Sequence, residues 1–179
     1  MIDFPSLKTL TIGNESFKQA TSFTMNTLPS LESIEIGNNC FKDVTNKVLF
    51  NAFPELITLE IGNSSFYNEL NDNMIYQIFQ VFNDPKLVSI EIGEYSFSKF
   101  GEFSVSYLSS LKSLIIGSIE NESNNFINAT SIFIKSNTNL ILFSNILDLD
   151  NLEQLIIGCG SFNGNSSLTL QSILNQILF

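Results

Sequence analysis

The phrase Leu-x-x-Leu/Ile-x-Ile-Gly recurs six times in this chain. It reads LKTLTIG at 7–13, LESIEIG at 31–37, LITLEIG at 56–62, LVSIEIG at 87–93, LKSLIIG at 111–117 and LEQLIIG at 152–158. Five copies continue as x-x-[Ser/Cys]-Phe, ending at Phe17, Phe41, Phe66, Phe97 and Phe162. A chain that returns to one apolar pattern at a near-constant period buries each unit against its neighbours, so the expected fold is a repeat solenoid, mainly β. All 179 residues fall within one domain's length and within the pattern.

Counting onward from each Phe extends the unit. Apolar residues follow Phe17 at Ala20, Phe23, Met25 and Leu28, and follow Phe97 at Phe100, Phe103, Val105 and Leu108. Phe126 leads a similar series through Ala129, Ile132 and Ile134, and the Phe41 unit carries one extra residue before Val48 and Phe50. The alternation in the middle of each series has the two-residue period of a half-buried strand. Each coil is therefore expected to carry two short strands, with 22–26, 103–107 and 168–171 extended. Pro5, Pro29, Pro54 and Pro85 or the pair Ser109-Ser110 lead into the next copy. The Gly at 13, 37, 62, 93, 117 and 158 is expected to turn the chain at positive φ, where a β-carbon is penalised.

Two units depart from the period. Between Gly62 and Gly93, Leu70, Met74/Ile75, Ile78/Phe79 and Phe82 fall at helical spacing, with Asn71 or Asn73 as caps. This predicts a helix over 70–82 in place of the second strand. The segment 118–151 is an irregular or inserted coil: extra residues in SIENESNN precede Phe126, and LILF at 140–143 reads as a degenerate coil. Neither end carries a distinct polar cap. That is expected of a fragment of a longer array, or of an end covered by Leu174, Ile177, Leu178 and Phe179.

The phrase LxxLxIGxxSF resembles the leucine-rich-repeat signature LxxLxLxxNxL. It is most similar to the BspA-like subclass, whose units carry an Ile-Gly-x-x-Ala-Phe step like Ile12-Gly13-Asn14-Glu15-Ser16-Phe17 here. The resemblance covers essentially the whole chain. It implies a leucine-rich-repeat-like solenoid that scaffolds protein–protein contacts, or alternatively a cell-surface adhesion module. The Asn slot of that signature holds Glu15, Asn39, Ser64, Tyr95 and Gly160, so the family's asparagine ladder is expected to be incomplete.

Charge and composition narrow the function. The net charge is −10, and all eight cations are lysine. This is the opposite of the basic footprint that nucleic acid requires, and anionic membrane surfaces repel it. No apolar run approaches the ~18–20 residues of a membrane span, so no membrane insertion is expected. The start, MIDFPSLKTL, lacks the basic and apolar stretches of a signal peptide. That favours a cytoplasmic protein, with a cell-surface location the alternative if the chain is a fragment. Five Asn-x-Ser/Thr sequons do not argue otherwise, because a chain this rich in those residues carries them by chance. Cys40 and Cys159 lie about four coils apart, roughly 20 Å at ~4.8 Å per stacked strand, and two free thiols are expected.

With no His in the chain, a Ser-His-Asp or Cys-His arrangement is impossible. Neither a CxxC or HExxH metal motif nor a phosphate loop is present, so no cofactor and no enzymatic activity are expected. A polysaccharide-active β-solenoid enzyme is disfavoured because no Arg or Trp stands beside the carboxylates. The candidate site is instead a partner-binding row. The residue before the Ile of each phrase reads Thr11, Glu35, Glu60, Glu91, Ile115 and Ile156. Stacked in register, Glu35, Glu60 and Glu91 form either a strip for a basic protein segment or a solvated acidic face that keeps sheet edges apart. Ile115 and Ile156 extend the row as an apolar docking patch, or lie under the 118–151 insert.

Overall fold

The computed structural model describes residues 4–25, 28–45, 47–68, 77–135, 154–159, 161–162 and 167–171. Within them the chain is mainly β, without a helix. The strands in chain order are β1 (Thr9–Ile12), β2 (Ser33–Ile36), β3 (Val48–Asn51), β4 (Thr58–Ile61), β5 (Ile78–Phe82), β6 (Ser89–Ile92), β7 (Glu102–Ser106), β8 (Ser113–Ile116), β9 (Ser131–Lys135), β10 (Gln154–Ile157) and β11 (Ser167–Gln171).

They form two parallel sheets. The six LxxLxI phrases supply the first, in the order β1-β2-β4-β6-β8-β10, and the segments after the Phe supply the second, in the order β11-β9-β7-β5-β3. The register does not slip. Leu10, Ile34, Leu59, Ile90, Leu114 and Leu155 align across the first sheet, as do Ile12, Ile36, Ile61, Ile92, Ile116 and Ile157. In the second, Val48, Phe79, Phe103, Ile132 and Leu168 align. A one-residue slip would turn inward side chains such as Ile34, Leu59 and Ile90 to the other face, which is why the buried pattern holds the register so firmly. The core lies between the sheets and is built from Ile36, Ile61 and Ile92 on one side and Phe50, Phe79 and Phe103 on the other.

The corner that leaves the first sheet is a second stack. The rings of Phe17, Phe41, Phe66, Phe97, Phe126 and Phe162 lie parallel within 10°, with successive centroids 4.8–5.3 Å apart. All six residues have φ between 50° and 56°. A bulky residue there is unusual, at a cost of about 1–3 kcal/mol each. Neighbours offset it. The amides of Phe41, Phe66, Phe97 and Phe162 donate to the carbonyls of Ser16, Cys40, Ser65 and Asn125, one unit earlier.

This corner corrects the expectation for the glycines. Among them only Gly117 has positive φ, at 70°. The left-handed turns fall instead on the Phe and on Glu15, Asn39, Ser64, Tyr95 and Asn124 two residues before it. Most of the glycines serve close approach. A β-carbon on Gly62 would lie 2.5 Å from Asn38 Oδ1 and 2.7 Å from the Gly37 carbonyl carbon. Gly37 and Gly93 face the same crowding from the preceding unit. Gly117 differs because the insertion leaves the corner there. Ser118–Glu122 loop out, and Tyr95 then donates to the Ser123 carbonyl, as Ser64 does to that of Glu94.

The predicted helix over 70–82 is also corrected. Residues 78–82 form β5, and 70–76 lie outside the described residues. Phe79 and Val81 are buried, and Gln80 between them is not. Ile78, Phe79 and Phe82 satisfy a helical period, whereas Phe79 and Val81 satisfy an alternating one. The deciding factor is that β3 and β7 present unpaired backbone on either side, which a strand satisfies and a helix cannot. Of the segments expected to be extended, β7 and β11 cover 103–106 and 168–171, whereas residues 22–25 form no ladder with β3. The extra residue between Phe41 and Val48 falls where the two segments would meet, and bonds such as Thr45 N–H to the Thr21 carbonyl tie them outside any ladder. The degenerate coil proposed around 140–143 lies outside the described residues.

Two stability measurements test this architecture. Ile61 is 2% exposed, and Ile61→Ala is expected to cost about 2–5 kcal/mol in denaturant melts. A loss below about 1 kcal/mol would remove Ile61 from the core. Gly62→Ala should cost about 1–3 kcal/mol through overpacking. Gly13→Ala, with nothing within 4 Å of its added carbon, should stay within about 0.5 kcal/mol. Equal losses at the two glycines would refute the close-approach account.

Candidate functional site

The outward face of the first sheet carries every residue singled out from the sequence. Glu35, Glu60, Glu91, Ile115 and Ile156 occupy one register row, preceded by Thr11 on β1. The row exists because alternate residues of a strand share a face and each phrase enters the sheet at the same step. The three carboxylates are exposed, and the two isoleucines at the far end are half-buried. Ile57 flanks the carboxylates and is itself exposed at 43%.

The carboxylates differ from those around them. Glu32 pairs with Lys8 at 2.7 Å, Glu55 with Lys86 at 2.6 Å and Glu15 with Lys18 at 3.1 Å. The Glu32 hydrogen bond and charge also raise the pKa of Lys8. Glu35, Glu60 and Glu91 have no ion-pair partner among the described residues. At strand spacing of about 4.8 Å, each adjacent pair opposes folding by a fraction of a kcal/mol. The charge is therefore neutralised at the margins of the face and left uncompensated along its centre.

Beside the row runs a feature that the sequence reading missed. Asn14 Oδ1 accepts the Asn38 N–H at 2.7 Å, Asn38 Oδ1 the Asn63 N–H at 2.7 Å, and Asn63 Oδ1 the Glu94 N–H at 2.9 Å. This is an asparagine ladder one residue ahead of the slot where the family signature puts it, and it stops at Glu94. The signal was present as Gly-Asn in the first three copies. The crowding at the glycines is the same contact seen from the other side. With the carboxylates these asparagines line a shallow groove of about 230 Å³, acceptor-rich along one wall.

A buried ladder lies behind it. Ser65 Oγ accepts the Cys40 N–H at 3.0 Å and donates to the Gly37 carbonyl at 2.8 Å, and Ser96 repeats both bonds one unit later. In the next unit Asn125 takes the slot, its Nδ2 donating to the carbonyls of Gly93 and Ser96. Cys40 occupies the same slot, buried, and its thiol points at the Gly13 carbonyl at 3.2 Å; Cys159 is exposed, and both cysteines are free. These small polar residues satisfy corner carbonyls and are structural.

Among the described residues no group of three or more His, Cys, Asp or Glu could hold a metal ion, and no helix is long and apolar enough to cross a membrane. The face offers hydrogen-bond acceptors and negative charge along a line, then apolar surface.

Asn38→Ala removes the acceptor for the Asn63 amide and is expected to cost about 1 kcal/mol in urea melts. An unchanged midpoint would show that water replaces the ladder without loss.

No protein-family model matches the chain, and comparison with curated proteins and with solved structures finds no significant similarity.

Proposed function

We propose that this chain is a leucine-rich-repeat-like solenoid that acts as a protein-interaction scaffold, not an enzyme, and takes its partner on the parallel LxxLxI sheet. The partner is a protein with a basic segment, held along Glu35, Glu60 and Glu91, with Ile115 and Ile156 receiving an adjoining apolar side chain. The observation that carries this reading is the unequal neutralisation of the face. Among the described residues three carboxylates stand in line without cations while Glu15, Glu32 and Glu55 each have one. Uncompensated like charge on neighbouring strands opposes folding, and a cationic ligand relieves it on binding. The field of three aligned carboxylates also speeds the approach of Lys- or Arg-rich segments, an effect that salt screens.

The test is a triple Glu35→Gln, Glu60→Gln, Glu91→Gln variant, compared with the parent against a basic partner recovered by pull-down. Affinity should fall at least tenfold at low salt and lose most of its salt dependence, while the fold is kept. The variant should also melt higher, because the repulsion is gone. Unchanged affinity with raised stability would reduce the row to a solvated acidic face.

A further inference from the structure

A carboxyl group sits where the repeat calls for an apolar side chain. Five units enter their LxxLxI strands through the same turn, in which a Leu amide donates to the carbonyl three residues earlier. The pairs are Leu7 to Phe4, Leu31 to Leu28, Leu56 to Phe53, Leu87 to Asp84 and Leu111 to Leu108, at 3.1–3.2 Å. The row of accepting residues is therefore Phe4, Leu28, Phe53, Asp84 and Leu108. Among the described residues Asp84 is the only polar member. It is 0% exposed, like Phe53, and Leu108 is 3% exposed. Asp84 Oδ1 accepts the Phe53 N–H at 2.8 Å. Its Oδ2 has no hydrogen-bond partner among the described residues.

From this geometry we infer that Asp84 is a proton-sensitive joint between consecutive units: the array folds around the neutral acid and loosens when that acid ionises. An ionised carboxylate without a cation is expensive to bury, whereas a neutral acid with one bond satisfied is far less so. Oδ1 stays the acceptor for Phe53, so the proton resides on Oδ2. The charged groups of the three turns are Glu55, Lys86 and Lys112. Glu55 and Lys86 pair with each other at 2.6 Å near solvent, and Lys112 is exposed. None of them contributes to the shift of Asp84. Burial raises its pKa from the ordinary 3.8 to about 7, opposed only by the Phe53 N–H.

The sign follows from linkage. Between those two values the folded chain holds a proton that the unfolded chain has released, so stability falls as pH rises through that window. Below it the contribution is fully present; above about 7 the loss is complete.

The experiment has two arms. Urea unfolding of the wild type and of Asp84→Asn is followed from pH 5 to 8; the amide keeps the acceptor for Phe53 and cannot ionise. Relative to Asp84→Asn, the wild-type unfolding constant should rise nearly tenfold per pH unit between about 5 and 7 and then level off. The other carboxylates are common to both proteins and cancel. Parallel curves would overturn the inference. In the second arm the Asp84 side-chain carboxyl of the folded wild type is titrated by carbon NMR. A midpoint near 7 supports the joint and a midpoint near 4 overturns it, even if Asp84→Asn does not fold.

Discussion

The structure depends on the alignment of each unit's corner with the next. Six phenylalanines stack face to face while their own backbone sits in a left-handed conformation that no isolated Phe would hold. Neither feature is stable alone. The ring stack needs the turn in order to point inward at a constant height, and the turn needs the stack and the amide bond to the preceding unit to offset its strain. Because each unit's corner is completed by its neighbour, cohesion passes along the array one interface at a time. The same corner sets the height at which the next LxxLxI strand begins, and so delivers the two sheets in register.

Three ladders run beside the ring stack, and each solves a different problem. The asparagines close the outer edge of the corner, and the small residues led by Ser65 and Ser96 satisfy the buried carbonyls of the glycines. The glycines themselves let the strands' ends approach closely enough for both. Where one ladder fails, another residue substitutes: Asn125 fills a serine slot with a longer side chain that reaches two carbonyls. The inserted loop at 118–122 is tolerated because Ser123, Asn124 and Asn125 re-enter the corner in phase.

The outward face of the first sheet is the part that this packing leaves free to vary. Its rows are dictated in position by the inward ones, but not in chemistry. Thr, Glu and Ile follow one another along a single line, and the change from charged to apolar happens between β6 and β8. Along that line three exposed carboxylates give way to two half-buried isoleucines. Asp84 shows the converse case, in which an inward row accepts a polar residue and the array becomes responsive to protons there.

Periodicity was sufficient for a great deal. The second strand of most units, the inward identity of Leu59 and Ile61 and the alignment of Glu35, Glu60 and Glu91 follow from a repeat that each copy restates. Other features rest on what a neighbouring unit offers. Ile78–Phe82 fits two periods, and the choice between them was made by the open backbone of β3 and β7. Gly37, Gly62 and Gly93 announced that no side chain is tolerated there, but the cause was an asparagine 23 to 30 residues earlier. Lys8 and Lys86 neutralise Glu32 and Glu55 across turns, which only juxtaposition reveals. The burial of Asp84 likewise needed Phe53 and Leu108 on either side. A repeated sequence determines what is common to its units. What differs from unit to unit is decided by contact between them, because a polar or charged group's free energy depends on its surroundings and not on its place in the pattern.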